Sequence, residues 1–352
     1  MVMNLVREFD RRGLRVDLLT IRATGPHLQD LPEGVRHRPL NAKHTLTAIA
    51  EIRRYIRSSR VPALLVAKDR AGRAAAIARA FSGCSPRLVV RLGTNLSAAL
   101  RARSPLSRWL RTAPMRAIYR HIDQVVAVSE GVRQDTLGIT GLPSERVSVI
   151  RNPVITPQFE QLQPSRPNHD WLAKEAGTRE IPVLMAAGRL SHQKGFDLLL
   201  KAFALACERR PLRLLILGDG GLRQRLQQQC ESLGLSQKVE FVGFQSDIYS
   251  WLARADLFVL SSRWEGSPNV LTEALALGVP VVATRCPSGP EEVLQQGKYG
   301  PLVPVEDASA MAEAILQRLE QPTDREFLKS AVQQYRAQTS ADAYLEQLGV
   351  GA

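Results

Sequence analysis

Two glutamates in the second half of the sequence, with seven residues between them, have a setting that suits ligand binding. Glu265 follows a short apolar run of the kind that forms a buried strand, and Glu273 lies in a segment with helical periodicity. The start of such a helix presents free N–H groups that bind anions. Carboxylates accept hydrogen bonds from hydroxyls, so the pair suits a ligand with hydroxyls on both sides of a phosphate. A nucleotide sugar is such a ligand, whereas two solvated surface carboxylates are the ordinary alternative.

The segment around these glutamates has the pattern strand, loop, helix, strand. Apolar runs at residues 256–262 and 279–284 predict the two strands. Between them, Ser267 is a suitable helix cap, Pro268 suits the first turn, and Gly278 suits the end of the helix. The pattern therefore predicts a helix whose start lies at the carboxyl edge of a parallel sheet.

Two basic residues flank a turn that follows an earlier predicted strand. Arg189 and Lys194 are five positions apart, so they could contact a diphosphate from two sides. Arginine can bind two oxygens at once, while lysine acts as a point charge. Two solvated cations are the alternative interpretation. The chain contains no D-x-D sequence, so we expect neither a metal ion nor another cofactor.

Residues 264–278 resemble the E-x7-E motif of retaining GT-B glycosyltransferases of the family 4 type, and residues 188–195 resemble that family's G-R-L-x-x-x-K-G loop. The resemblance covers nearly the whole chain and is densest from residue 147 to residue 305. It implies an α/β fold of the GT-B type, in which two doubly wound, Rossmann-like parallel-sheet domains face a cleft. The glycine-rich turn at residues 218–223 is similar to a structural turn of the same family.

The resemblance also implies a role for individual residues of this chain. Glu265 would hold hydroxyls of the donor sugar and Glu273 the nucleotide ribose, while Arg189 and Lys194 would stabilise the departing diphosphate. Further donor-binding positions are Gly188, in the turn after the first strand of the second domain, and Asn269, Val270 and Leu271, at the helix start. Gly243 and Phe244, at a strand end, would contact the base. For Phe244, packing in the core is the alternative. The family retains anomeric configuration by same-face attack around an oxocarbenium-like state, so we assign no covalent nucleophile.

The order of predicted elements indicates two domains, since 352 residues are too many for one core. We expect an acceptor-side domain over residues 1–160 and a nucleotide-sugar-binding domain over residues 161–325, where strands and helices alternate regularly. Residues 325–348 read as helical, and in GT-B proteins the last helix often crosses back. We therefore expect the helices of residues 326–352 to return to the first domain.

The first domain departs from the family pattern in two places. Apolar residues at positions 2, 5, 6 and 9 have helical spacing, so the chain begins inside a helix, whereas a doubly wound domain opens with a strand and a glycine-bearing turn. We expect the central first strand to be missing: either the natural start lies upstream of Met1, or the domain is compromised. Many relatives have a histidine beside the reacting sugar, where this chain has Gly93, Thr94 and Asn95.

The positive charge of the chain is concentrated in its first part. The formal net charge is +13, and residues 1–150 hold 26 Lys and Arg against 11 Asp and Glu. A surface this basic suits an anionic membrane or a phosphorylated acceptor, with a solvated surface as the alternative. Residues 96–121 mix arginines with apolar residues, which suits either a membrane-surface helix or a buried helix with a charged outer face. We expect no nucleic-acid partner, because no nucleic-acid-binding motif accompanies the charge.

The composition indicates a cytoplasmic protein that can lie peripherally on the inner face of the membrane. Four scattered cysteines, at positions 84, 207, 230 and 286, form no C-x-x-C motif and suit reduced thiols. No apolar run approaches the roughly 20 residues of a membrane helix, and the first ten residues lack a signal-peptide core.

These observations predict a metal-independent, retaining glycosyltransferase. It would move a sugar from a nucleotide-diphosphate-sugar to a glycan or lipid-linked acceptor, in the synthesis of cell-surface polysaccharide, lipopolysaccharide or glycolipid. The main alternative is an inactive GT-B nucleotide-sugar-binding protein or partner subunit, which the departures in the first domain favour and the intact donor half opposes. A sugar-nucleotide epimerase of GT-B shape is a third reading, which the donor half does not favour.

Overall fold

The computed structural model describes residues 1–21, 28, 31–321 and 323–350. The strands are β1 (Val16–Ile21), β2 (Val35–Leu40), β3 (Ala63–Ala67), β4 (Arg87–Leu92), β5 (Gln124–Ala127), β6 (Val147–Val149), β7 (Val183–Ala187), β8 (Arg213–Leu217), β9 (Val239–Gly243), β10 (Leu257–Leu260), β11 (Val281–Thr284) and β12 (Leu302–Val303).

The helices alternate with these strands along the chain. They are α1 (Val2–Arg11), α2 (Ile49–Ser59), α3 (Asp69–Ala80), α4 (Leu96–Ala99), α5 (Pro105–Ile118), α6 (Glu130–Thr140), α7 (Pro157–Glu160), α8 (Phe196–Arg209), α9 (Arg223–Ser232), α10 (Ile248–Leu252), α11 (Asn269–Ala276), α12 (Pro290–Val293), α13 (Ala308–Glu320), α14 (Arg325–Ser330) and α15 (Ala337–Leu348). Within the described residues, no helix combines the length and apolar composition that crossing a membrane requires.

The chain forms two compact units, each built on parallel strands. The first comprises Met1–Pro157 and Gln334–Ala352, and the second comprises Gln158–Gln333. The prediction of two parallel-sheet α/β domains is confirmed. The domain limits predicted at residues 160 and 325 remain a proposal.

The strands of the first unit form two separate sheets. β1 pairs in parallel with β2, and β3, β4, β5 and β6 form a second parallel sheet in that order. Among the described residues, no ladder joins β1 to β3. The break falls where the sequence led us to expect a missing central strand.

Both faces of the four-stranded sheet are covered by helices. On one face, Phe9 of α1 and Tyr344 of α15 pack in a core cluster with Val89 and Val126 of the sheet. On the other face, side chains of α3, α5 and α6 pack against Leu88 and alternate residues of the strands. Because both faces are buried, these strands are nearly continuous apolar runs, as expected for a parallel sheet.

The segment predicted to be helical, residues 325–348, contains two separate helices, α14 and α15. Between them, the carbonyl of Tyr335 accepts hydrogen bonds from the amides of Val154 and Ile155, both at 3.0 Å. Arg336 is extended, with φ −66° and ψ 138°, and pairs with Ile155 in an isolated parallel bridge. The backbone here is bonded to a distant segment, which interrupts the helix. The last helix, α15, lies in the first unit.

The second unit is a six-stranded parallel sheet with the order β12-β11-β10-β7-β8-β9. The chain places β7 first, adds β8 and β9 on one side, and then returns to add β10, β11 and β12 on the other. The topological switch point therefore lies between β7 and β10. In open α/β sheets, ligands bind outside the carboxyl ends of the strands at such a point.

Candidate functional site

The loops that follow β7 and β10 carry the predicted basic residues and the first predicted glutamate. β7 and β10 are neighbours at the switch point of the sheet, with Leu257 opposite Leu184 and Phe258 opposite Met185. Parallel pairing sets their carboxyl ends at the same edge, so residues 188–195 and 261–268 meet there. The topology thus explains why two motifs about 70 residues apart in sequence share one site.

Hydrogen bonds hold these two loops together. The Ser261 hydroxyl donates to the Lys194 carbonyl at 2.9 Å, the Arg263 amide donates to the Gln193 carbonyl at 2.7 Å, and the Gln193 side-chain amide donates to the Trp264 carbonyl at 2.9 Å. The contact is close enough to require glycine at position 195, because a Cβ there would lie 2.1 Å from the Ser261 carbonyl oxygen. The two loops therefore form one rigid surface.

Lys194, Glu265 and Gly188 come together at the centre of this surface. Lys194 Nζ lies 2.6 Å from Glu265 Oε1, and the Ser262 hydroxyl donates to the same oxygen at 2.6 Å. The Lys194 side chain passes beside Gly188, where a Cβ would lie 3.2 Å from Lys194 Cε. Glu265 is only 5% exposed and Lys194 is partly buried, so a buried carboxylate is paired with a cation and a hydroxyl donor.

Arg189 belongs to the same loop, but its side chain is exposed. Among the described residues, its guanidinium has no hydrogen-bond or ion-pair partner. The next residue, Leu190, is buried and anchors the turn. The geometry thus leaves Arg189 available to an anion from solvent, whereas Lys194 is already paired with Glu265.

The glycine-rich turn after β8 packs directly against the loop after β7. A Cβ at Gly218 would lie 2.1 Å from the Gly188 carbonyl oxygen, and one at Gly220 would lie 2.5 Å from the Leu190 carbonyl oxygen. The structural interpretation of residues 218–223 is therefore supported by close backbone packing.

Gly243 and Phe244 follow β9 at the same edge of the sheet. The Gly218 amide donates to the Gly243 carbonyl at 2.7 Å, and Gly243 has φ +86°, a conformation that favours glycine. The Phe244 ring is 74% exposed, so core packing, the alternative for this residue, is wrong.

The start of α11 differs by one residue from the prediction. Pro268, with φ −77° and ψ 90°, is the N-cap, and no side chain caps the helix. The Ser267 hydroxyl is buried without a partner among the described residues, so its assignment as the cap is wrong. The extended Pro268 moves the first helical residue to Asn269, one position beyond the reach of a Ser267 cap.

The three predicted amides at the helix start are not equivalent. The Leu271 amide donates to the Pro268 carbonyl at 3.0 Å, so it already has an acceptor within the turn. Asn269 and Val270 are the first two residues of the helix, the positions at which backbone amides can bind an anion. A Cβ at Gly289 would lie 2.5 Å from Pro268 Cδ, so the loop after β11 packs closely against the start of α11.

Glu273 lies on the inward face of α11 and is only 9% exposed. Burial of the carboxylate away from water raises the pKa of Glu273 to about 7. No described residue donates a hydrogen bond to its carboxyl group. Burial, followed by the charges of Glu273 and Asp247, also raises the pKa of the Tyr249 hydroxyl. Glu273 is thus a buried acceptor with unused hydrogen-bonding capacity, which suits a pair of ligand hydroxyls.

Two family models together match most of the chain. The model described as glycosyl transferases group 1 matches residues 170–335, and the model described as glycosyl transferase 4-like domain matches residues 1–153. The chain belongs to the glycosyltransferases of the family 4 type. The resemblance to glycosyltransferases of the family 4 type, read from residues 188–195 and 264–278, is confirmed, and retention of the anomeric configuration stays a prediction.

Characterised relatives of this family 4 chain match part of its length. A lipopolysaccharide core biosynthesis glycosyltransferase, LpsE of Rhizobium meliloti, is 38% identical over 175 residues, which are 48% of this chain and 50% of LpsE. An N-acetylgalactosaminyltransferase of Campylobacter jejuni, whose name gives a diphospho-undecaprenol acceptor, is 33% identical over 161 residues, 46% of this chain and 42% of that protein. The chain thus spans half or less of the length of these two relatives.

Solved structures show that this member of the family has the GT-B fold. The lipopolysaccharide outer core galactosyltransferase WaaB, in its apo form, has a TM-score of 0.74 at 17% identity, covering 99% of this chain and 94% of WaaB. Anabaena HepE in complex with UDP has a TM-score of 0.74 at 21% identity, covering 98% of this chain and 94% of HepE.

Sequence reasoning missed several residues that build the site of this glycosyltransferase. The partly buried Arg263 donates two hydrogen bonds to Asp197, of 2.8 and 2.7 Å, and its guanidinium lies 3.1 Å from a Glu306 carboxylate oxygen. The hydrogen bond from Arg263 lowers the pKa of Asp197. No local signal could have found these pairs, because Asp197 and Glu306 are distant in sequence. Ser262, by contrast, directly follows a strand and could have been found from that position.

Cys286 is buried close to the charge pair. Burial, and then the negative charge of Glu265, raise the pKa of the Cys286 thiol to about 12, so it remains protonated at neutral pH. All four cysteines are free thiols. In the described part of the chain, no three His, Cys, Asp or Glu side chains cluster closely enough to hold a metal ion.

Proposed function

We propose that this protein is a retaining, metal-independent glycosyltransferase that moves a sugar from a nucleotide-diphosphate-sugar to a glycan or lipid-linked acceptor. The observation that carries the proposal is the pairing of Lys194 with the buried Glu265, at 2.6 Å, at the switch point of the second sheet and in the loop that leads to α11. In a chain of the family 4 type, this arrangement would place Glu265, which accepts hydrogen bonds from sugar hydroxyls, next to Lys194, the cation that binds the diphosphate.

The charges of the donor would be bound by cations and amides rather than by a metal. The leaving diphosphate would accept hydrogen bonds from the amides of Asn269 and Val270, where the helix dipole also favours negative charge. Arg189 would contact the diphosphate from the solvent side. Lys194, while paired with Glu265, would also stabilise the negative charge that develops on the phosphate. The Ser267 hydroxyl, buried without a partner among the described residues and two positions before Asn269, would donate to a phosphate oxygen.

The carboxylates would hold the two sugars of the donor. Glu265, oriented by Ser262, would accept hydrogen bonds from hydroxyls of the transferred sugar, and Glu273 would accept them from the ribose. Gly243 and the exposed Phe244 ring would contact the base. The transferred sugar would keep its anomeric configuration through same-face attack, and no protein nucleophile takes part.

The solved relatives suggest the first donor to test. HepE of Anabaena has been solved with UDP and with UDP-glucose, and TarM of S. aureus with UDP. These ligands belong to those proteins, and they support a UDP-sugar as the first donor class for this chain. GDP-sugars form the comparison set.

The named relatives suggest the acceptor class. LpsE is named for lipopolysaccharide core synthesis and the Campylobacter jejuni enzyme for a lipid diphosphate acceptor. We propose a glycan or lipid-linked acceptor of cell-surface polysaccharide, lipopolysaccharide or glycolipid synthesis. The net charge of residues 1–150, which hold 26 basic and 11 acidic residues, supports a cytoplasmic protein that meets such an acceptor at an anionic membrane surface.

An inactive binding protein or partner subunit is the second candidate, and the divided sheet of the first unit favours it. Incubation with a panel of UDP- and GDP-sugars, followed by calorimetry and by mass spectrometry of released nucleotide and glycosylated product, separates the two. The enzyme releases nucleoside diphosphate from at least one donor, and NMR of the product shows the donor's anomeric configuration. Donor binding without hydrolysis or transfer favours the binding protein, and inversion of configuration overturns the retaining mechanism.

A further inference from the structure

The outward face of α5 in the first unit is apolar. Leu106, Trp109 and Leu110 are 66%, 62% and 59% exposed, and their spacing of three and four positions sets them on one face of the helix. Ala113 and Ala117 continue that face one and two turns further on. A surface helix of a water-soluble domain normally turns its polar residues outward, so this face requires an explanation.

The orientation of α5 is firmly set by its opposite face. Met115 is buried in the core against the four-stranded sheet. The Arg111 guanidinium donates to Asp69 at 2.5 Å, and the Tyr119 hydroxyl donates to the same carboxylate at 3.1 Å. Asp69 is only 8% exposed, so this is a buried network that holds the helix. The helix cannot rotate its apolar face inward without breaking it.

The surroundings of this face are strongly basic. Residues 96–121 contain six arginines and neither aspartate nor glutamate. Arg111 is bound to Asp69, and the other five are exposed: Arg101, Arg103, Arg108, Arg116 and Arg120. An apolar strip bordered by uncompensated positive charge is complementary to a bilayer with anionic headgroups.

We propose that α5 lies in the headgroup region of an anionic bilayer, with Leu106, Trp109 and Leu110 inserted towards the acyl chains and the exposed arginines on lipid phosphates. This deepens the membrane association proposed above, and it rests on that association, by naming the element that inserts. Tryptophan is favoured at this depth because its ring is amphipathic. A second copy of the chain is a poorer partner, because a two-fold interface through this face would bring two sets of exposed arginines together.

The test is co-sedimentation of the full chain with phosphatidylcholine vesicles, with and without phosphatidylglycerol. We expect binding only with phosphatidylglycerol, and a loss of at least about tenfold in the L106S/L110S variant, because two side chains that would insert into the bilayer become polar. The F81S variant is the matched control, since Phe81 is another exposed apolar side chain of the same unit, at 68%, and it should bind as the wild type does. Brominated lipids should quench more fluorescence in the wild type than in W109F.

Each result decides between membrane insertion and another role. If L106S/L110S sediments with anionic vesicles as well as the wild type, insertion through α5 is wrong and charge alone explains docking. If the wild type binds neither kind of vesicle, the proposed membrane association is wrong as well. The proposed sugar transfer is tested separately, by assaying transfer to a water-soluble acceptor. If the wild type is a dimer that L106S/L110S dissociates, the face covers a second copy and the proposal is overturned.

Discussion

Glu273 has its carboxyl group in surroundings that oppose ionisation. The residue is 9% exposed, no described residue donates a hydrogen bond to its carboxyl group, and burial raises the pKa of that group to about 7 from an ordinary value of 4.5. Because the folded-state pKa is the higher one, the folded protein holds this proton more tightly than the unfolded chain. The stability gained from protonation is therefore complete below pH about 4.5 and is lost as the pH rises through about 7.

The Glu273→Gln variant should therefore be more stable than the wild type at alkaline pH. We expect a free energy of unfolding higher by about 2–3 kcal/mol at pH about 8, and no difference at pH about 4, in urea denaturation without ligand. The same variant should bind the nucleotide-sugar about tenfold more weakly by calorimetry, because a charged acceptor of the ribose hydroxyls is lost. Glu208→Gln, at an exposed position of α8, is the control. Equal stability of the wild type and Glu273→Gln at pH about 8 would contradict the raised pKa.

Arg189 and Lys194 should differ in what their removal does. Arg189 is exposed without a described partner, so Arg189→Ala should lower kcat by about 10²-fold while KM and the melting temperature change little. Lys194→Ala should lower kcat and also destabilise the fold by about 3 kcal/mol, since it leaves the buried Glu265 unpaired. Steady-state kinetics and thermal melting measure both effects. Arg225→Ala and Lys201→Ala, at exposed positions of the same unit, are the controls, and full turnover in both Arg189→Ala and Lys194→Ala would exclude the diphosphate role.

At the scale of elements, the site depends on how closely the loops after β7 and β10 approach each other. Gly195 is the point of closest contact, with φ +63° and the Ser261 carbonyl oxygen 2.1 Å from where a Cβ would stand. An added methyl group there must push the two loops apart. The bonds from Ser261 to Lys194 and from Arg263 to Gln193 would lengthen with that movement.

Gly195→Ala should therefore cost more than backbone strain alone. Gly177→Ala is the matched control, because Gly177 has φ +79° in the same unit and nothing lies within 4 Å of its Cβ position. We expect a loss of about 1 kcal/mol for Gly177→Ala and at least about 3 kcal/mol for Gly195→Ala, which should also weaken donor binding. Urea denaturation and calorimetry provide the two measurements. Equal losses in the two variants would mean that the loops separate without cost.

At the scale of the whole molecule, we propose that donor charge is neutralised by protein cations and a helix start. The expected consequence is that EDTA leaves the transfer rate within about twofold of its original value, because no step requires Lewis-acid stabilisation of the diphosphate. The measurement is nucleotide release with EDTA, with added Mg²⁺ and with added Mn²⁺. A loss of activity in EDTA that Mg²⁺ or Mn²⁺ restores would show a metal requirement and overturn this part of the proposal.

The sequence by itself determined the local elements of the second unit and the residue types of the candidate site. β10 and β11 lie within two residues of the strands predicted at residues 256–262 and 279–284, because short apolar runs between turn residues are a local signal. Gly278 ends α11 as predicted, since its φ of +73° is a local requirement for glycine. The two motifs likewise identified the family, because the residues within each motif are close together in the sequence.

Only the tertiary structure decided how these parts meet and what environment they create. Arg263 binds Asp197 and Glu306. The helical conformation is interrupted at Arg336, which pairs with Ile155. Both features depend on partners that are far away in the sequence. The raised pKa of Glu273 depends on burial. The exposure of the apolar face of α5 depends on the hydrogen bonds to Asp69, which hold the opposite face of that helix against the domain. Burial and pairing arise from contacts between segments that only folding brings together. The hydrophobic periodicity of the sequence therefore does not predict them.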